Sequence, residues 1–254
     1  MSESLPTGQP RGIDYVSYLR LPELLALQSP QSTPAHPDEL LFIVVHQSSE
    51  LWFKVLLHAL SALIAALQQF DTMRALLAIQ RINVLTEIIA QQLSSLDTLP
   101  PQRFAQFRGY LGASSGSQSI QFRAIEATAG LRDPHFLATI SELGDPPPEV
   151  LLALERPTLQ ELAERLIAHE GTTLAALYTG AAPTPLFLVV EGLLEFEQRF
   201  ARWRFLHVQL VERIIGPVTG GTGGTLGAKY LTRTVSQRFF PALWAVRGEL
   251  IGTQ

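Results

Sequence analysis

At 254 residues, 46% of them hydrophobic and only 17% charged, the chain is long enough to bury about three quarters of its unfolded surface. It carries more apolar side chain than one monomer surface calls for, which points to subunit contacts or an internal apolar pocket. The formal charge of −4 provides no basic field and there is no Lys/Arg stripe, so nucleic acid is excluded as a partner. Cysteine is absent, which removes disulfides, zinc–thiolate sites, iron–sulfur clusters and c-type haem attachment, and leaves His, carboxylate or a porphyrin for any metal.

Residues 1–12 are polar, with Pro and Gly, and lack the positive and then apolar blocks of a signal peptide. They read as a flexible segment ahead of a single domain over 13–254. Periodicity is helical almost throughout and no two β-branched runs are joined by a hairpin signal, so the expected fold is all-α: a bundle of long central helices with a small helical appendage. A short amphipathic helix is expected within Ile13 to Leu27, and a Pro/Ser-rich loop follows to Pro37. Asp38 offers an N-cap for a long helix to about Phe70, whose first half is apolar on nearly all sides and belongs in the middle of a bundle. A second helix runs from Asp71 or Thr72 to about Leu96, and a third begins near Pro101 and carries Phe104, Phe107 and Arg108 before the turn 112–116. Shorter helices are expected over Gln118 to Ala129, then Pro134 to Leu143 and Thr158 to Ala175, the last two separated by the spacer Asp145-Pro146-Pro147-Pro148. The longest helix spans about Pro185 to Ile215, stopped by Gly216-Pro217, and a final one covers Gly227 to Ile251. The longest purely apolar runs, such as Leu40 to Val45, are far short of the roughly 18–20 residues that span a bilayer, so a cytoplasmic protein with no membrane partner is expected.

Of six histidines, two stand out. Phe196, Phe200, Trp203, His207, Leu210 and Ile214 fall on one helical face, so His207 sits in an apolar stripe. There it is either a metal ligand or a core histidine satisfied by hydrogen bonds. His46 follows four apolar residues, with Phe42 one turn before it, and also fits a core histidine bonded to a backbone carbonyl. Arg108, flanked by Phe104 and Phe107, could hold a carboxylate in its planar fork, or lie over an aromatic ring at the surface. The cluster Gly220-Gly221-Thr222-Gly223-Gly224 follows a helix and lacks both nucleotide-loop endings. It reads as a loop that orders over a ligand, with Thr222 directed inward.

Taken together these stretches resemble the tryptophan 2,3-dioxygenase family from Tyr15 to about Glu249. The resemblance is carried by Asp14-Tyr15 with Tyr18-Leu19-Arg20-Leu21, by Glu39 to Gln47 with Glu50-Leu51-Trp52, and by Phe107-Arg108-Gly109-Tyr110-Leu111-Gly112 with Ser115-Gly116. Trp203-Arg204-Phe205 ahead of His207, and Gly221-Thr222-Gly223-Gly224, complete it. It implies an all-helical homotetramer that binds haem b (iron protoporphyrin IX) and cleaves the indole C2–C3 bond of L-tryptophan with O2 to give N-formylkynurenine, as in tryptophan catabolism by the kynurenine pathway. His207 would be the axial haem ligand and His46 the distal residue that hydrogen-bonds the indole N–H. Arg108 would hold the substrate carboxylate, Thr222 the amino-acid end, and Phe42 the indole ring, while Tyr15 and Tyr18 would reach a neighbouring subunit's pocket.

Two positions depart from the family pattern. Phe104, placed among the substrate-binding residues, stands where tyrosine is usual, and loss of that hydroxyl contact should weaken binding by about 1 kcal/mol. Ser117 replaces a large apolar residue. Both changes lie on the substrate side, which leaves room for a relative that acts on a modified tryptophan such as a β-methylated one, or that inserts one oxygen atom to give an oxindole. A haem-binding sensor is the non-enzymatic alternative, and a cofactor-free interaction protein is a third.

Overall fold

A computed structural model of the chain describes residues 14–132, 137–138, 141, 148–180, 182–217 and 228–252. Among these residues every regular element is a helix, so the fold is all-α as expected. Three long helices form the frame: α3 (Glu39–Gln68), α4 (Thr72–Gln92) and α10 (Pro185–Ile215), with α4 packed between the other two. α4 and α10 pack tightly at Gly192, where an added Cβ would lie 2.8 Å from Ile79 Cγ2. Beside it the buried Asn83 donates from Nδ2 to the Gly192 carbonyl at 3.0 Å.

Local chemistry explains most boundaries. Asp71 caps α4 by accepting from Arg74 N, and Thr184 caps α10 by accepting from Phe187 N, with Pro185 at the first helical position where its missing N–H is harmless. Gly216 closes α10 with a φ of 86°. Asp38 precedes α3 but does not cap it, because its carboxylate turns to Arg103 of α5 (Pro101–Arg108). A 3₁₀ segment, Leu93–Thr98, joins α4 to α5.

The single helix expected within 13–27 is two. α1 (Tyr15–Leu19) ends at Arg20, whose φ is 51°, and α2 (Leu21–Leu24) restarts with Pro22 near its first position, since a proline cannot sit deeper in a continuous helix. The helix expected over 158–175 is also two: α8 (Leu159–His169), opened by a Thr158/Glu161 capping box, and α9 (Leu174–Thr179), capped by Thr173 after the turn at Gly171. The last helix divides into α11 (Ala228–Val235) and α12 (Pro241–Gly252) because Pro241 opens a new helix. Between α6 (Ile120–Ala129) and α8 lies α7 (Pro148–Glu155), unforeseen because Pro148 is the start of this helix as well as the end of the proline spacer. The short helices pack on the frame, α6 and α8 against α3 and α7 against α6.

A buried carboxylate locks the C-terminal part onto α10. Glu197 accepts from Phe239 N at 2.7 Å, Phe240 N at 2.8 Å, Trp244 Nε1 at 2.6 Å and Arg238 Nη1 at 3.1 Å. Arg204 of α10 and Arg123 of α6 likewise share the buried Glu126. The first half of α3 is not central in this chain: over 39–52 only Glu39 and Val45 are buried, while Leu40, Val44 and Leu51 are exposed. By length and composition α3 is the one described helix apolar enough to cross a membrane, yet its second half is a bundle core helix packed on α4, α6 and α8. The expected flexible segment 1–12 and most of the helix expected over 134–143 lie outside the described residues.

Candidate functional site

His46 lies on α3, one turn after Phe42. Its Nδ1 is 2.7 Å from the Phe42 carbonyl oxygen and its ring packs on the Phe42 ring at 4.3 Å. A carbonyl only accepts, so Nδ1 carries the hydrogen and Nε2 is left with a lone pair. The ring surface is accessible, but the surrounding protein desolvates it enough to lower its pKa below the usual 6.5, against the opposing pull of the Phe42 carbonyl and the Glu50 charge. The imidazole is therefore a neutral acceptor at pH 7. Glu50, one turn further along α3, is held by Gln121, whose Nε2 donates to the Glu50 carboxylate at 2.8 Å and its carbonyl at 2.9 Å.

His207 lies on α10 and is pushed down to about 4, first by burial and then by the charge of His46. His46 is thus near enough to act on His207, and desolvation favours the neutral form of both imidazoles. The stripe expected from the sequence is present: Phe196, Phe200, Trp203 and Leu210 are buried on the same face. Phe53 of α3 and Phe122 of α6 extend it, with Phe122 5.5 Å from Phe200 and 5.0 Å from Trp203. Trp203 packs 5.3 Å from His207, and its buried indole Nε1–H has no hydrogen-bond partner among the described residues. A buried donor without an acceptor is costly unless something absent from the chain itself satisfies it.

On the other side of Phe42 is an aromatic cluster. Phe104 lies 5.6 Å and Phe107 5.8 Å from Phe42, and the two are 5.2 Å from one another. Both are buried on α5, whose last residue is the half-buried Arg108. The structure thus brings His46, Phe42, Phe104 and the turn carrying Arg108 to one wall. His36 extends it, packing 5.2 Å from Phe107 while its Nε2 bonds Gln106 at 2.9 Å. Tyr15 and Tyr18, 72% and 74% exposed on α1, stand on the outside of this chain. Thr222 and the side chain of Ser117 lie outside the described residues.

Sequence reasoning missed two members of the site. Trp203 was visible only as part of the stripe, because spacing shows which face a residue takes and not whether its N–H has a partner. Glu50 carried an available signal, four residues after His46 on the same helix.

Among the described residues no group of three or more His, Cys, Asp or Glu could hold a metal ion. What the recess offers is one neutral imidazole in an aromatic wall, which suffices for a metal already held by a planar macrocycle. Among the described residues the fold is all-α, with one histidine on α3 and one on α10 whose neutral forms are favoured by desolvation.

The family model described as tryptophan 2,3-dioxygenase matches residues 4–142 and 148–250. The chain is 38% identical to the tryptophan 2,3-dioxygenase of Kineococcus radiotolerans, over 94% of this chain and 92% of that one. It is 39% identical to that of a Nocardioides species, over 94% and 95%, and 37% identical to that of Herpetosiphon aurantiacus, over 94% and 99%. The chain belongs to the tryptophan 2,3-dioxygenase family, and it is an oxygenase.

Proposed function

We propose that the chain is a haem-dependent dioxygenase that cleaves the indole C2–C3 bond of L-tryptophan, retaining both atoms of O2 in N-formylkynurenine. The observation that carries the reading is the pair of neutral histidines on α3 and α10, one with its lone pair directed by a committed Nδ1–H. The unpartnered Trp203 indole N–H, the aromatic wall and the single neutral imidazole of His207 fit haem b, which His207 would hold through its imidazole and to which Trp203 would offer a donor. When bound, the haem iron supplies the site at which dioxygen is taken up for reaction.

The chain's own residues do the positioning. Arg108 takes the substrate carboxylate in its fork, and Thr222 contacts the amino-acid end. Phe42 packs on the indole ring, and His46 Nε2 accepts the indole N–H, so that C2 and C3 are held at one place and angle. The wall of Phe53, Phe122, Phe200 and Trp203 excludes water from the reacting face. Tyr15 and Tyr18 complete a neighbouring subunit's recess in a homotetramer. Residues 13–254 act as one domain in the cytoplasm.

Phe104 favours a second reading. Its ring is buried against Phe42 and Phe107 and puts no hydroxyl on the substrate wall, which suits a tryptophan with an added methyl group, or a reaction that inserts one oxygen atom to give an oxindole. Product mass after incubation of the reduced holoenzyme with L-tryptophan and O2 tests both readings. A gain of two oxygen atoms supports ring cleavage, a gain of one supports the oxindole, and turnover of β-methyltryptophan alone supports the modified substrate. A protein that takes up no haem, or His207→Ala with an unchanged Soret band, overturns the assignment of the recess.

A further inference from the structure

The arm formed by α1 and α2 buries none of its residues, yet its end is fastened to the rest of the chain. Gln47 Nε2 donates to the Leu27 carbonyl at 3.1 Å, and Gln47 Oε1 accepts from Gln28 Nε2 at 2.6 Å. Gln28 Nε2 also donates to the Leu24 carbonyl, at 3.1 Å. One pair of carboxamides therefore closes the last turn of the arm against α3. Gln47 is the residue after His46, and consecutive residues on a helix point about 100° apart. The same turn of α3 presents an imidazole to the recess of its own chain and a carboxamide to the arm.

We infer that Gln47, with Gln28, is a positioning residue for the substrate site of the neighbouring subunit: it sets the direction in which Tyr15 and Tyr18 leave the chain. This rests on the proposed entry of those tyrosines into that neighbour's site. The chemistry of the clasp is specific. Gln47 uses its amide as donor and its carbonyl as acceptor at once, so Glu loses the donor to Leu27 and Leu loses both. Neither carboxamide titrates, so the clasp itself does not depend on pH. The clasp also ties the arm to the helix that carries His46, which joins two substrate sites through a single helical turn.

The test is kinetic and uses the haem-loaded holoenzyme. Gln47→Ala and Gln28→Ala should each raise KM for L-tryptophan by about tenfold while leaving kcat within about twofold, since the clasp orders a binding wall and does not touch the reacting atoms. Gln28→Ala leaves α3 intact, so a wild-type KM in that variant overturns the proposal. The decisive arm mixes haem-loaded Gln47→Ala chains with a large excess of His207→Ala chains before assembly. The sites that turn over then belong to Gln47→Ala chains, and the arms that reach them come from chains with an intact clasp. KM per haem should return to the wild-type value. A KM that stays high shows Gln47 acting on its own His46, and the proposal fails. Replacing Tyr15 and Tyr18 by Ala in every chain separates the two levels: an unchanged KM overturns the tyrosine reading and this inference with it, whereas a raised KM beside unaffected glutamine variants overturns this inference alone.

Discussion

His207 illustrates how one residue carries a cost that binding relieves. The folded chain holds its imidazole neutral, with a pKa of about 4 against an ordinary 6.5. Above pH 6.5 the folded and unfolded chains are both neutral at this position and nothing is lost. Between 6.5 and 4 the unfolded chain binds a proton that the folded recess refuses, so stability falls as pH drops and is fully lost below about 4. The haem-free protein should therefore lose roughly 2–3 kcal/mol of unfolding free energy over this range. Urea unfolding at pH 7.5, 5.5 and 4.5 measures the loss. His207→Ala should show a flatter profile, and equal profiles in the two proteins would mean that the imidazole is solvated. At the opposite wall, Arg108→Lys keeps the charge but cannot form the planar fork. KM for tryptophan should rise by about ten- to a hundredfold, measured by steady-state turnover of the holoenzyme.

The helices themselves are legible to different degrees, and the reasons are local. The bounds of α10 were readable because Thr184, Pro185 and Gly216 are start and stop residues acting on a strongly periodic stripe. The breaks at Arg20, at Gly171 and before Pro241 were not, since periodicity carries across a short turn and each break depends on one residue's backbone. Within the site, His46, Phe42, Phe104 and Arg108 were all named from the sequence and share a wall. The orphaned Trp203 N–H and the Gln47 clasp were invisible, because each depends on where a second element ends. Where α4 crosses α10, Gly192 leaves no room for a side chain. Gly192→Ala would press a methyl into Ile79 and should destabilise the protein by about 1–3 kcal/mol. Ile79→Ala alone should cost about 2–5 kcal/mol by leaving a cavity in a fully buried position. Combined, the two should cost less than their sum by roughly 1 kcal/mol or more, because the methyl fills space that the isoleucine vacates. Chemical denaturation of the four proteins measures the coupling, and strict additivity would mean that the helices relax apart instead.

The apolar excess that composition reveals has a definite distribution on the whole molecule. Leu40, Val44, Leu51 and Val55 of α3 are exposed at spacings of four, seven and four, which is one continuous helical stripe. Met73, Leu77 and Val84 of α4 form a second stripe at spacings of four and seven, also exposed. The arm adds Tyr15, Tyr18, Leu25 and Leu27. A single isologous contact gives a dimer and needs one such patch, whereas a tetramer of dihedral symmetry needs at least two different patches, each facing its own copy across a two-fold axis. Two separate stripes on two helices match the second requirement. The protein should therefore have a mass about four times the 28.0 kDa of one chain, measured by light scattering during gel filtration. Leu77→Glu places a charge within the α4 stripe alone, where burial without a partner is prohibitive, and should halve the mass to that of a dimer held by the α3 face and the arm. Because the tyrosines belong to the arm and not to α4, that dimer should keep the wild-type KM for tryptophan. Dissociation of Leu77→Glu to monomers would show that the two stripes form one interface, and an unchanged tetramer would show that the α4 stripe lies outside every contact.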